Sequence, residues 1–159
     1  MVAARCRDLV NPNPCMTWRL PAWFEQHASW TRTQLAPQFD DLQTYQQWHD
    51  CGKFYCQELD TDGKAHYPDH AQVSADIWRG LGGDPKIGQL IGDDMLCHHL
   101  RPADALSFAS NPNALALLVT ALCELHANAS MFGGISSDSF KIKFKRLEKC
   151  GNIILRELT

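Results

Sequence analysis

The 159 residues carry 15 Lys and Arg against 18 Asp and Glu, a formal net charge of -3 that excludes a chain coated in positive charge to grip duplex nucleic acid at any sequence. Apolar residues make up 45% of the chain, which excludes wholesale disorder, and the length suits one domain with a single core. Seven cysteines without a Cys-x-x-Cys, and no secretory apolar segment near the N-terminus, point to reduced thiols in a cytoplasm, and the apolar run Ala114 to Ala121 is too short for a bilayer.

Residues 1 to 20 contain Asn11-Pro12-Asn13-Pro14 and no sustained period, which predicts an irregular arm packed through Trp18, ahead of one domain over 21 to 159. Pro21 suits the first turn of a helix to about Gln34, on which Trp23, His27 and Trp30 share a face. A second helix is predicted from about Asp40 to Cys51 with Gly52 as its stop, carrying Leu42, Tyr45 and His49 inward and Asp50 one step round the wheel. Gln57 to Lys64 reads as a turn or small hairpin; Asp60-x-Asp62-Gly63 hints at a calcium loop but lacks the remaining ligand spacing.

A third helix opens at Asp69, with Gln72 as its capping-box partner and His70, Val73, Ile77 and Leu81 on one stripe. Asp84-Pro85 caps and starts a fourth, closed by Arg101-Pro102, whose inner face holds Ile87, Ile91, Asp94 and His98, with Met95 and His99 beside it. The fifth and most apolar helix, about Asn113 to Ala129, buries Leu115, Leu118, Val119, Leu122 and Leu125 with His126 in the same arc and Glu124 on the opposite side. Ser137 caps a last helix with Phe140, Phe144 and Leu147 inward and a basic face of Lys141, Lys143, Lys145, Arg146 and Lys149. The expected fold is therefore an all-α bundle of five to six helices.

His27, His49, His70, His98 and His126 come from five predicted helices, each on the apolar face. A lone inward histidine is usually a hydrogen-bonded core residue. Five uncompensated imidazoles in one core would cost on the order of several kcal/mol, a difficulty that a bound cation removes. The doublet His49-Asp50, followed by Gly52-Lys53, adds a carboxylate beside an imidazole.

This pattern resembles the HD-domain metal-dependent phosphohydrolase superfamily over most of the chain from His27 onward. His70 with the adjacent His98-His99 is similar to the two-metal branch, which includes the CRISPR-type HD nucleases and cyclic-dinucleotide phosphodiesterases. The stretch Tyr67-Pro68-Asp69-His70 is similar to HD modules found beside polynucleotide kinases in RNA end repair. The resemblance implies an HD-domain fold in which His27, His49, Asp50 and a last ligand hold one ion, and His70, His98 and His99 a second, with Asp50 bridging. The family's last ligand is usually an aspartate on the long helix. Here periodicity favours His126 and ligand chemistry Asp138, and His126 is placed first.

Mixed imidazole and carboxylate ligation suits Mn, Fe, Co, Ni or Zn, one or two ions. A metal-activated water would then hydrolyse a phosphoester in a nucleotide or at a nucleic-acid end, such as a 2',3'-cyclic phosphate or a phosphomonoester. A single-stranded DNA or a nucleoside triphosphate is the alternative substrate, and any kinase or ligase partner would be a separate chain. Lys53 would face the phosphate as a point charge, or simply the solvent. Asp94 would orient a ligating histidine, or simply cap a polar pocket. Lys141, Lys143, Lys145 and Arg146 form a candidate contact for a nucleic-acid backbone, or a solvated face. The competing class is a non-catalytic module that metals staple together and whose basic face binds nucleic acid or protein.

Overall fold

The computed structural model describes residues 2–10 and 18–159; Asn11-Pro12-Asn13-Pro14 and Cys15 lie outside them. The fold is all-α, as expected. Among the described residues the helices are α1 (Val2–Val10), α2 (Ala22–Leu35), α3 (Phe39–Trp48), α4 (His70–Gly80), α5 (Pro85–Gly92), α6 (Met95–His99), α7 (Ala105–Phe108), α8 (Ala114–Ala127) and α9 (Asp138–Leu158). Short 3-10 helices occupy Ala36–Gln38, Cys51–Phe54 and Ala129–Phe132. No helix among the described residues is long and apolar enough to cross a membrane.

The chain forms two units, one of residues 1–39 and 97–159, the other of residues 40–96. In the first, α8 is buried at every one of its 14 positions and packs against α1, α2 and α9. The arm expected over residues 1 to 20 is helical over Val2–Val10 instead: Val2, Cys6 and Leu9, spaced four and three apart, make a buried stripe, and α1 packs on α8. Burial of that stripe offsets the weak helix propensity of so short a segment. On α9, Ser137 Oγ accepts the Phe140 amide as predicted, and Phe140, Phe144, Leu147, Gly151, Ile154 and Leu155 follow one face. Gly151 lies directly under the buried Trp23 indole, where a Cβ would collide with the ring.

In the second unit, α4 packs against α5 and against the 3-10 helix Cys51–Phe54. Asp84 caps α5 through the Lys86 amide at 2.7 Å, with Pro85 in its first turn, as the sequence predicts. The expected single helix over 84 to 101 divides: α5 ends at Gly92, Asp93 and Asp94 form a turn, and α6 begins at Met95. The capping box at Asp69 does not form. Asp69 takes a left-handed conformation (φ 52) with no side-chain cap bond, and Gln72 bonds Asp76 at 3.2 Å.

The hairpin is present, with β1 (Glu58–Leu59) antiparallel to β2 (Ala65–His66). Asp60 spends one carboxylate oxygen on the Asp62 and Lys64 amides of the turn and the other on His66 at 2.8 Å. The His66 hydrogen bond, then the Lys64 amide, hold the Asp60 carboxyl below its usual range. The turn reading stands.

Candidate metal centre

The histidine-aspartate doublet follows directly on α3. The His49 amide still bonds the Tyr45 carbonyl at 2.8 Å, completing the last turn, whereas Asp50 has left helical geometry (φ -104, ψ 1). Imidazole and carboxylate therefore diverge from neighbouring positions. Gly52 is not the left-handed helix stop expected of it. It is a point of close approach, where an added Cβ would lie 2.6 Å from both the His70 carbonyl and the Ser74 amide, while its own amide donates to Ser74 Oγ at 2.8 Å.

This contact explains why α4 buries His70, Ala71, Ser74 and Ala75 rather than the expected stripe of His70, Val73, Ile77 and Leu81; Leu81 is exposed. Small residues admit the backbone of the doublet's turn. The same approach brings His70 to Asp50.

The resulting geometry is specific. His49 Nε2 lies 3.5 Å from Asp50 Oδ2 and His70 Nε2 3.6 Å from Asp50 Oδ1, so one carboxylate is flanked by two imidazoles. Each ring's other nitrogen meets a backbone carbonyl: His49 Nδ1 at Gln46 O, 2.9 Å, and His70 Nδ1 at Tyr67 O, 3.0 Å. A carbonyl oxygen only accepts, so both Nδ1 atoms carry the proton, and the neutral tautomer turns an Nε2 lone pair toward a carboxylate oxygen. Lone pair against anion is repulsive. The Lys53 ammonium, 2.7 Å from Asp50 Oδ2, supplies positive charge beside the carboxylate, and Nδ1–H donation to a carbonyl is also how ligating histidines are usually oriented. Imidazole nitrogen and carboxylate oxygen are the donor types that divalent transition metals accept.

Lys53 Nζ lies 2.7 Å from Asp50 Oδ2 and 5.7 Å from the centre of the Tyr67 ring. It is fixed beside the carboxylate. Behind His49, Tyr45 lies edge-on to the imidazole with ring centroids 6.3 Å apart, and the Tyr45 hydroxyl donates to Asp94 Oδ1. Asp94, expected to orient a ligating histidine, thus bonds Tyr45, which packs on the His49 ring, both Tyr45 and Asp94 being buried.

In the other unit, His98 Nε2 lies 2.7 Å from Glu124 Oε2, and the His98 carbonyl accepts from Arg146. Glu124 was expected on the outer side of its helix; it is only 7% exposed. Because α8 is covered all round, its opposite side is also interior. Neither residue proposed as the last ligand is placed with His98. His126 meets the Arg19 carbonyl at 3.0 Å through Nε2, lies 4.6 Å from the Trp18 ring and packs edge-on to Phe140, and burial lowers its pKa from the usual histidine value. It is a hydrogen-bonded core histidine. Asp138 is 94% exposed in the first turn of α9 and pairs with Lys141 at 3.5 Å.

His27, predicted inward, is half-buried at a kink in α2 (φ -116, ψ 18), and His99, expected beside the inner face of its helix, is exposed at the end of α6. Lys141, Lys143, Lys145, Arg146 and Lys149 are exposed along α9, as expected. Asp94, His98 and Glu124 supply buried or half-buried donors of the kind that hold a divalent ion. Glu124 is the residue the sequence reading passed over. Its signal was the absence of any polar face on α8: a helix apolar all round has no outside for a carboxylate to occupy. Comparison of the chain with family models, with characterised proteins and with solved structures found no match.

Proposed function

We propose that the chain is a metal-dependent phosphohydrolase of the HD type, with His49, Asp50 and His70 as the core of its metal site. The observation that carries this reading is the Asp50 carboxylate flanked by two Nε2 atoms, each imidazole being oriented by a carbonyl at its Nδ1. His98 and Glu124 form a second imidazole–carboxylate pair, proposed as a separate donor set within its own unit.

A bound Mn, Fe, Co, Ni or Zn ion would supply Lewis acidity and a hydroxide-like water at neutral pH for attack on phosphorus. The protein supplies position and charge. Asp50 is 41% exposed, so a substrate can reach the centre, while His49 and His70 are buried and locked. Lys53 adds a fixed ammonium beside Asp50, suited to the charge that gathers on phosphoryl oxygens as the ester bond breaks. The substrate class proposed is a phosphoester in a nucleotide or at a nucleic-acid end, including a 2',3'-cyclic phosphate.

The exposed basic row on α9 favours a second reading, a metal-stapled module that binds nucleic acid without turnover. Elemental analysis of the purified chain, followed by manganese-dependent hydrolysis of bis-p-nitrophenyl phosphate and 2',3'-cyclic AMP, separates the two. Bound metal with turnover that His49→Ala abolishes supports the phosphohydrolase. Metal without turnover supports the module, and failure to bind manganese, iron or nickel sinks both.

A further inference from the structure

The 3-10 helix that follows the doublet ends in two aromatic rings that the fold leaves in water. Phe54 is 84% exposed and Tyr55 72%, the rings meeting edge to face with centroids 5.3 Å apart. Neither ring contributes to a core, and exposing a pair of large aromatics forfeits the burial that normally justifies them. The backbone that carries them is hydrogen-bonded: the Lys53 amide bonds the Asp50 carbonyl at 3.1 Å and the Tyr55 amide the Gly52 carbonyl at 2.9 Å.

What lies next to them indicates what they meet. Lys53 is the neighbouring residue, with its ammonium on Asp50 and over the Tyr67 ring, and Tyr67 itself is partly exposed. The steps from Cys51 to Phe54 span roughly 6 Å at about 2 Å per residue. That is the length of one or two stacked nucleotides at about 3.4 Å per step. A purely apolar partner would gain nothing from the ammonium and carboxylate, and a bare phosphoester nothing from the rings. A ligand with a flat π face and a phosphate uses both.

We infer that Phe54 and Tyr55 form a stacking platform for the nucleobase of the substrate, so that the centre takes nucleotides or single-stranded nucleic-acid ends rather than phosphoesters of sugars or lipids. This inference rests on the phosphohydrolase reading for the placement of the phosphate. Stacking on an aromatic ring is sequence-tolerant, since every base has a π face, so the platform selects for a base without choosing strongly among bases.

The test is binding, which separates it from turnover. Calorimetric titration of the whole chain with manganese compares the non-hydrolysable methylenephosphonate analogues of AMP and of ribose 5-phosphate. The wild-type chain is expected to bind the adenosine analogue about tenfold or more tightly, and the Phe54→Ala/Tyr55→Ala variant to lose that preference. Phe54→Trp, which keeps a ring, is expected to retain it, so a general folding defect is distinguishable from loss of stacking. Equal binding of the two analogues by the wild-type chain, or an undiminished preference in the double alanine variant, overturns the inference and leaves the rings as a surface for another protein. Base preference without any ester hydrolysis would instead count against the phosphohydrolase reading alone.

Discussion

Asp50 sits between two imidazole nitrogens and an ammonium, so its charge is what every neighbour is arranged around. Asp50→Asn keeps the shape and removes the anion. Manganese affinity, read by calorimetry, is expected to fall about 100-fold or more, with turnover falling alongside and the helical circular dichroism unchanged. Gly52 makes a different demand. A Cβ there would press on the His70 carbonyl and the Ser74 amide, both backbone groups that cannot step aside as a side chain can. Gly52→Ala is therefore expected to destabilise the chain by about 1–3 kcal/mol in urea unfolding and to weaken metal binding, because α4 must move and carries His70 with it. A stable variant with full metal affinity would show that the close approach is not what positions His70.

Among the elements, α8 shows where reading a helix by periodicity reaches its limit. His49 and His70 were read as inward and are buried, although α4 turns a different face inward than the stripe predicted for it, and Asp50 lies past the end of α3. Every position of α8 is buried, so a wheel drawn through Leu118, Leu122 and Leu125 assigned Glu124 to an outside that does not exist, and His126 to a site when it serves the core. α1 escaped for the opposite reason, since the three residues it buries, beside a proline-rich stretch, carry too little pattern to announce a helix that only packing stabilises. The same burial gives His126 a measurable signature. Its folded pKa lies below the ordinary 6.5 through desolvation, against the opposing pull of the Arg19 carbonyl. Both states are neutral at higher pH. As pH falls through 6.5 the unfolded chain takes up a proton that the folded chain refuses, so stability declines with falling pH down to the folded pKa. His126→Gln, which retains a donor for the carbonyl, is expected to show a shallower fall in urea midpoint between about pH 7 and pH 5 than the wild-type chain. Identical slopes would mean that His126 protonates freely in the folded state.

For the whole molecule, helical periodicity and its glycine and proline boundaries were enough to predict an all-α fold, because most of the helices have a buried and an exposed side and the remaining long helix, α8, is a sustained apolar run. Which donors meet was only partly legible. His49, Asp50 and His70 meet through the backbone contact at Gly52, whereas His98 and Glu124 meet because a carboxylate has no wet face on α8. Donors brought together by folding bind a cation more tightly than the unfolded chain does, so metal and fold must be linked. At a manganese concentration about 100 times its Kd, that linkage amounts to roughly 2.7 kcal/mol. For a chain of this length it corresponds to a rise in Tm of about 5–10 °C, reversed by a chelator. Asp50→Asn is expected to suppress most of the rise, and Asp138→Asn none of it, since Asp138 stands exposed and paired with Lys141. A Tm indifferent to manganese in the wild-type chain would contradict the metal reading at its root, because no folded arrangement of these donors can bind the ion without being stabilised by it.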